Sequence, residues 1–423
     1  LDTAVAYLDR HINLEVTAGR VDGLSLDNMH ALMTALGSPN VDVPVIQVTG
    51  TNGKGSTAAM ITALLATMGL SVGTYASPHV SSITERMQHN GHDIDPDDLV
   101  ALIEVLERVE PTLDHTPSWF ELLTAAAYRW FADLAVDVAV IEVGKLGRFD
   151  ATSVVDPAVA VITNVCYDHT DGSAGWRRDI AWEKAGITKP SSILCLGETD
   201  PELEEVFLAE QPRAVLRRGG DFDCEDNVLA VGGRQLSLRT PRSHLDEVFV
   251  SLHGAHQGDN AAIALAAAEA FLDTAIGEEV ATEAFGALSL PGRFEVIGTE
   301  PLIIVDGAHN PDGAAAAVAT LDDGFAVAGH RFLVAGMMAE RDATWMLESL
   351  GADQAELTIV CTPPSPRGMP ASELGAAANA MGLDVEVVAD PAEAIARARG
   401  LATEDDLIFA AGSLYVAGAV RDA

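Results

Sequence analysis

The octet Thr49-Gly50-Thr51-Asn52-Gly53-Lys54-Gly55-Ser56 stands between an apolar strand-like run over 43–48 and a helical pattern over 57–68. Glycines at a strand-to-helix junction let backbone N–H groups close around phosphate oxygens. The helix N-terminus adds a partial positive charge and the lysine a full one. The strict G-x-x-x-x-G-K-[ST] pattern is not met, since Val48 holds the first glycine position and Gly55 follows the lysine. The strand before and the helix after still require a phosphate loop at the carboxyl end of a strand in an α/β sheet.

The flanking sequence agrees. Further strands are expected at 71–75, 138–142, 158–162 and 192–196, with helices at 96–109, 119–134 and 180–187. This alternation predicts a parallel sheet covered by helices. From 222 to 252 short strands around Gly232-Gly233 predict a small β insertion, followed by helices at 260–271 and 278–285. Leu290-Pro291-Gly292 is a breaker cluster. After it the alternation restarts, with strands at 302–305, 332–335, 357–361, 385–388 and 407–410 and helices including 373–381 and 392–399. The 423 residues exceed one ordinary core. The expected fold class is α/β in two domains. Residues 1–289 form a P-loop-type ATPase domain with a parallel sheet and a small β insertion. Residues 290–423 form an open, Rossmann-like α/β domain.

Charge and cysteine usage narrow the function. The chain carries 63 acidic against 25 basic residues, a formal charge of −38. Such a surface repels phosphate backbones, so a general nucleic-acid binder is excluded and any phosphate ligand needs a local site. Cys166, Cys195, Cys224 and Cys361 form no C-x-x-C pair, which fits neither a disulfide scaffold nor a zinc ribbon. No apolar run reaches the ~18 residues of a membrane span, and residues 1–10 lack a signal-peptide pattern. The expectation is a cytoplasmic protein with no membrane partner. Only four lysines occur, Lys54, Lys145, Lys184 and Lys189. The low lysine content reads either as salt adaptation or as lineage bias.

The other motifs follow in order: Ser77-Pro78-His79, then Glu142-Val143-Gly144 leading to Gly147-Arg148-Phe149-Asp150-Ala151-Thr152, then Thr163-Asn164, Asp168-His169-Thr170 and Glu183-Lys184-Ala185-Gly186-Ile187. His256-Gln257 with Asn260, Pro291-Gly292-Arg293-Phe294-Glu295, Asp306-Gly307-Ala308-His309-Asn310-Pro311 and Gly412-Ser413-Leu414-Tyr415 complete the series. With the octet, this series resembles the Mur ligase superfamily, and its folylpolyglutamate and dihydrofolate synthase branch in particular, over nearly the whole chain.

The resemblance implies an ATP-dependent, ADP-forming amide ligase. It would add L-glutamate to dihydropteroate, to a reduced folate, or to both, through an acyl phosphate. ATP would be held by Thr51, Asn52, Gly53, Lys54, Gly55, Ser56, Asn260, Arg293 and Asp306. Ser77 and Glu142 would bind one Mg²⁺, and Glu142 with His169 a second; a monovalent cation is also implied. Lys184 would react with CO₂ to give a carbamate, which needs a neutral amine. Lys54, Glu142, His169 and Lys184 are thus the expected catalytic residues. Phe120, Arg148, Asp150 and His309 are the expected substrate contacts. A pterin loop is expected at Asp22-Gly23-Leu24-Ser25-Leu26, and a monomer is implied.

Several readings of the residues stay open. Asn260 reads as a nucleotide contact or a helix cap, His309 as a site residue or a hydrogen-bonded loop residue, and Trp119-Phe120-Glu121 as a pteridine contact or a core-facing helix start. Lys145 could pair with a substrate carboxylate or with Asp150, and Lys189 reads as solvated. Leu146 stands where the family has a glycine, and Cys166-Tyr167 precede Asp168 where a glycine and an aliphatic residue are usual. These departures cluster at the acceptor side and leave room for a ligase with a different acceptor. A nucleotide-binding module without ligase activity would lack Glu142, His169 or Lys184, and all three are present.

Overall fold

The computed structural model describes residues 1–13, 25–168, 170 and 172–423. His169, and Asp22, Gly23 and Leu24 of the expected pterin loop, therefore lie outside the described residues. The chain gathers into two units, Leu1–Ser251 with Gln257–Leu288, and Leu252–His256 with Ser289–Ala423.

The first unit is built on strands β1 (Val45–Thr49), β2 (Val72–Tyr75), β3 (Met87–His89), β4 (His92–Asp93), β5 (Val138–Glu142), β6 (Val159–Ile162), β7 (Ile193–Leu196) and β8 (Ala214–Arg217). Their order across the sheet is β4-β3-β2-β5-β1-β6-β7-β8. The pairings from β2 to β8 are parallel, and β3 and β4 close one edge as an antiparallel hairpin. β1 and β5 are buried along their whole length, as expected of central parallel strands covered on both faces. The helices are α1 (Asp2–Leu8), α2 (Asp27–Ala35), α3 (Lys54–Thr67), α4 (Pro96–Val109), α5 (Trp119–Leu134), α6 (Trp176–Ala185), α7 (Pro201–Leu208), α8 (His256–Leu272) and α9 (Glu278–Gly286). Ala139 and Ile141 of β5 pack with α4 and α5 in one apolar core; Ala160 and Ile162 of β6 pack with α6 and α7 in another. The expected insertion is the antiparallel sheet of β9 (Asp223–Ala230), β10 (Gly233–Arg239) and β11 (His244–Val250).

The second unit holds β12 (Glu295–Thr299), β13 (Leu302–Val305), β14 (Arg331–Ala335), β15 (Leu357–Val360), β16 (Val385–Val387) and β17 (Leu407–Ala411), in the order β12-β13-β17-β14-β15-β16. Only β12 runs antiparallel. Ile304 faces one core while Ile303 and Val305 face another, so this sheet too is sandwiched.

Three differences from the sequence reading bear on function. The helix after the octet starts at Lys54 rather than at 57: Gly53 takes φ 80° at its N-cap, and the octet itself supplies the first turn. α6 starts at Trp176 rather than 180, also behind a glycine at positive φ. Lys189 is half-buried and its Nζ donates to the Gly186 carbonyl at 3.0 Å, so it ties off the end of α6 instead of standing in solvent. Among the described residues no helix is long and apolar enough to cross a membrane.

Candidate active site

Four neighbouring strands, β2, β5, β1 and β6, end side by side. Ser77 follows β2, Glu142 closes β5, the octet follows β1, and Thr163-Asn164 follow β6. Carboxyl ends of adjacent parallel strands are where open α/β sheets collect ligands.

The octet is held in shape by the β6 loop. Thr51 N–H donates to the Asn164 carbonyl at 3.0 Å, and Asn52 N–H to Asn164 Oδ1 at 2.9 Å. The Asn52 carbonyl accepts from Thr163 Oγ1 at 2.7 Å and from Asn164 Nδ2 at 3.1 Å. Cys166 N–H donates to Thr51 Oγ1 at 3.0 Å. The contact with Thr163 leaves no room at Gly50, where a Cβ would lie 1.7 Å from Thr163 Oγ1. α3 begins with no side-chain cap, the kind of helix N-terminus at which anions bind. Lys54 Nζ curls back onto the Thr51 carbonyl at 3.1 Å.

Asn260 lies on α8 inside its second turn, so it is no helix cap. Its Nδ2 donates to Gln257 Oε1 at 3.0 Å, and its Oδ1 lies 2.4 Å from where a Cβ on Gly53 would be. The side chain thus presses on the octet backbone.

Glu142 is buried, with 3% of its surface exposed, and its Oε2 accepts the Ser77 N–H at 3.1 Å. A Cβ on Gly55 would lie 3.5 Å from the same oxygen. Ser77, Glu142 and the start of α3 therefore meet at one point. Phe120 sits behind it: a Cβ on Gly144 would lie 2.5 Å from Phe120 Cζ, and the ring centroid is 6.0 Å from that of Tyr75. Phe120 and Trp119 belong to the buried core, and the Glu121 carboxylate accepts from Ser118 N–H in a capping box, so this helix start is largely structural.

Lys184, on α6, is buried, with 3% of its surface exposed. Its amine is lowered to about 7, first by loss of solvation and then by the nearby Lys54 charge, with Asp168, Cys166 and Glu183 pulling the other way. The Glu142 loop reaches α6 through Gly147, where a Cβ would lie 2.9 Å from the Glu183 carbonyl, and through Arg148 N–H, which donates to that carbonyl at 2.7 Å.

Two expected substrate contacts have other work. Asp150 Oδ1 accepts from Thr152 N–H at 3.0 Å and from Thr152 Oγ1 at 2.5 Å, while Oδ2 accepts from Lys145 N–H at 2.9 Å. It holds the loop; burial pushes its carboxyl up against those bonds. Arg148 lies 4.0 Å over the Trp182 ring, donates to the Trp182 carbonyl at 2.9 Å and pairs with Glu210. Both side chains therefore also serve the scaffold. Leu146, in place of the family's glycine, takes φ 61°, a left-handed conformation that a side chain strains.

In the second unit the β12–β13 pairing brings the 291–295 and 306–311 motifs together. Gly307 N–H donates to the Gly292 carbonyl at 2.8 Å, and a Cβ on Gly307 would lie 3.4 Å from Arg293 Nη1. Asp306 accepts from the Phe294 and Ala308 N–H groups, each at 2.7 Å. Burial raises its carboxyl, against the pull of Arg293. His309 Nδ1 lies 3.0 Å from the Gly307 carbonyl within its own loop. The sequence reading quoted Thr163, Asn164 and Gln257 only as parts of motifs and gave them no role; the Thr-Asn pair ending a strand was the available signal.

The Mur ligase middle domain matches residues 48–268, and the Mur ligase glutamate ligase domain residues 292–414. Fold and site define an ATP-dependent ligase of the Mur type. The dihydrofolate synthase/folylpolyglutamate synthase of Mycobacterium tuberculosis is 36% identical over 84% of this chain and 77% of its own length. A probable bifunctional folylpolyglutamate synthase/dihydropteroate synthase of Haloferax volcanii is 36% identical over 93% of this chain, which spans 48% of that longer protein. The crystal structure of Mycobacterium tuberculosis folylpolyglutamate synthase complexed with ADP and AMPPCP superposes with TM-score 0.92 at 34% identity, covering 100% of this chain and 97% of that one. The chain belongs to the folylpolyglutamate and dihydrofolate synthase family of Mur ligases.

Proposed function

We propose that this ligase uses ATP to join L-glutamate to the carboxyl group of dihydropteroate, of a reduced folate, or of both, releasing ADP and phosphate. The observation that carries this is the meeting of the octet, Ser77 and Glu142 at adjacent strand ends with Lys184 beside them. Amides of residues 53–56 and the Lys54 ammonium would hold the ATP phosphates, Thr51 and Asn52, whose own amides bond Asn164, would shape the loop around them, and Asn260 would brace the loop or touch the nucleotide. Arg293 and Asp306 of the 290–423 domain would add charge and ribose contacts, with His309 on the glutamate side. That domain would supply the glutamate site and residues 1–289 the ATP site.

A buried carboxylate, a serine hydroxyl and phosphate oxygens form a hard, all-oxygen donor set that suits Mg²⁺. Ser77 and Glu142 would hold one such ion, and Glu142 with His169 a second; a monovalent cation belongs to the same reading. Bound there, magnesium neutralises the phosphate charge that otherwise repels an attacking carboxylate. Lys54 steadies charge moving onto the leaving ADP oxygen. The acceptor carboxylate takes the γ-phosphoryl group, and the glutamate amine then displaces phosphate from the acyl phosphate. The protein orients these partners and keeps water away. We read it as a cytoplasmic monomer acting on small molecules.

A second reading, a different carboxylate acceptor, draws on the departures at Lys145, Leu146, Cys166 and Tyr167, where Leu146 takes φ 61°. Phosphate release from ATP with glutamate, tried with dihydropteroate, tetrahydrofolate and a muramyl precursor, decides between them. Release with either pterin compound is expected. Release with the muramyl compound alone overturns the folate reading.

A further inference from the structure

We infer that Glu198 is a positioning residue for the ATP loop, with Arg177 as its brace. This rests on the reading that residues 51–56 hold ATP. Glu198 stands just past the end of β7, where its side chain is 9% exposed. Its Oε2 accepts the Val165 N–H at 2.8 Å, and its Oε1 accepts the Thr199 and Asp200 N–H groups at 3.0 and 2.9 Å. Arg177, in the first turn of α6, reaches the next peptide group of the same residue. Its Nη2 donates to the Val165 carbonyl at 3.3 Å and lies 3.5 Å from Glu198 Oε2, while Nη1 pairs with Asp200. Val165 is thus gripped at both its N–H and its C=O.

That grip matters because of its chain neighbours. Asn164 and Cys166, on either side of Val165, make the hydrogen bonds that fix Thr51 and Asn52 of the octet. The backbone has little other freedom here: a Cβ on Gly197 would lie 2.4 Å from the Thr163 carbonyl. α6, which carries Arg177, also carries Lys184. A carboxylate remote from substrate therefore ties the ATP loop and the lysine helix to the end of a third strand. Without it the buried Val165 N–H loses its acceptor, and the segment that shapes the octet can shift.

The test compares Glu198→Ala and Glu198→Gln with wild type in full steady-state kinetics and in equilibrium binding of ATP. Glu198→Ala should raise KM for ATP and the ATP dissociation constant about tenfold, the order for one lost buried hydrogen bond. KM for glutamate should stay within about twofold, whereas a general loss of stability would lower turnover without this selective rise in KM for ATP. Glu198→Gln keeps one acceptor oxygen and should rescue most of the loss while still raising KM for ATP about threefold. Should Glu198→Ala not fold, Glu198→Gln alone decides by that same selective rise. ATP binding unchanged in the folded variants, or ATP and glutamate constants rising together, overturns the inference. Lys54→Ala separates the two claims. If it binds ATP as wild type does, the ATP-loop reading itself fails; if it loses ATP while Glu198→Ala does not, only the positioning role fails.

Discussion

Lys184 offers a quantitative prediction. A lysine amine ordinarily titrates at 10.5, and here it is lowered to about 7. At pH 7.5 an ordinary lysine is neutral about one time in a thousand, whereas Lys184 would be neutral about three times in four. A neutral amine is what reaction with CO₂ requires, and a carbamate there would place a negative charge beside Lys54. Loading the enzyme with ¹³C-bicarbonate should give one carbamate resonance that Lys184→Met lacks, and activity should fall in CO₂-free buffer. The signal should fade as pH drops below about 7, where the amine is protonated. Stability gives an independent readout. Because the folded pKa is depressed, the native state binds fewer protons than the unfolded chain between about 7 and 10.5, so this group makes stability rise with pH across that window. Below the window the buried charge costs its full amount. In CO₂-free buffer Lys184→Met should be more stable than wild type at pH 6 by a few kcal/mol, at most ~1.4 kcal/mol per unit of depression, with the advantage vanishing towards pH 10.5. No carbamate signal, no CO₂ dependence and a pH-independent difference between the two proteins would refute the reasoning.

Gly53→Ala should be destabilised by at least about 1 kcal/mol and should lose ATP affinity more than tenfold, because φ is 80° and the new methyl meets Asn260 Oδ1. Denaturant melts and ATP titration check it. The −38 charge predicts that molar salt raises the melting temperature by screening self-repulsion, and a salt-independent melt would count against that account.

Much of the first sheet was legible because its strands are continuous apolar runs and its long helices have strong periodicity; α4, α5 and β5 fall on the expected residues. Helix starts were harder. Lys54 and Trp176 each begin a helix behind a glycine at positive φ, where no apolar pattern marks the first turn. The short α1 and α2 and the edge strand β12 carry too few residues to show a period. At the site, the motif series found the residues but not their division of labour. Asp150 and Arg148 stand as expected substrate contacts through the family resemblance. Their oxygens and nitrogens serve Thr152, Trp182 and Glu210, partners that only the folded chain brings near. Glu198 escaped notice because its acceptor role goes to a backbone amide, which leaves no signature in the sequence.

The most direct test of the site is equilibrium binding of ATP to wild type, Lys54→Ala and Glu142→Gln, each with and without Mg²⁺. Wild-type affinity should rise when magnesium is added. Lys54→Ala should bind at least about tenfold more weakly in both conditions, having lost a charge-assisted contact. Glu142→Gln should bind ATP but gain little from the metal, because its carboxylate is gone. If both variants bind like wild type and respond equally to magnesium, ATP is held somewhere other than these strand ends.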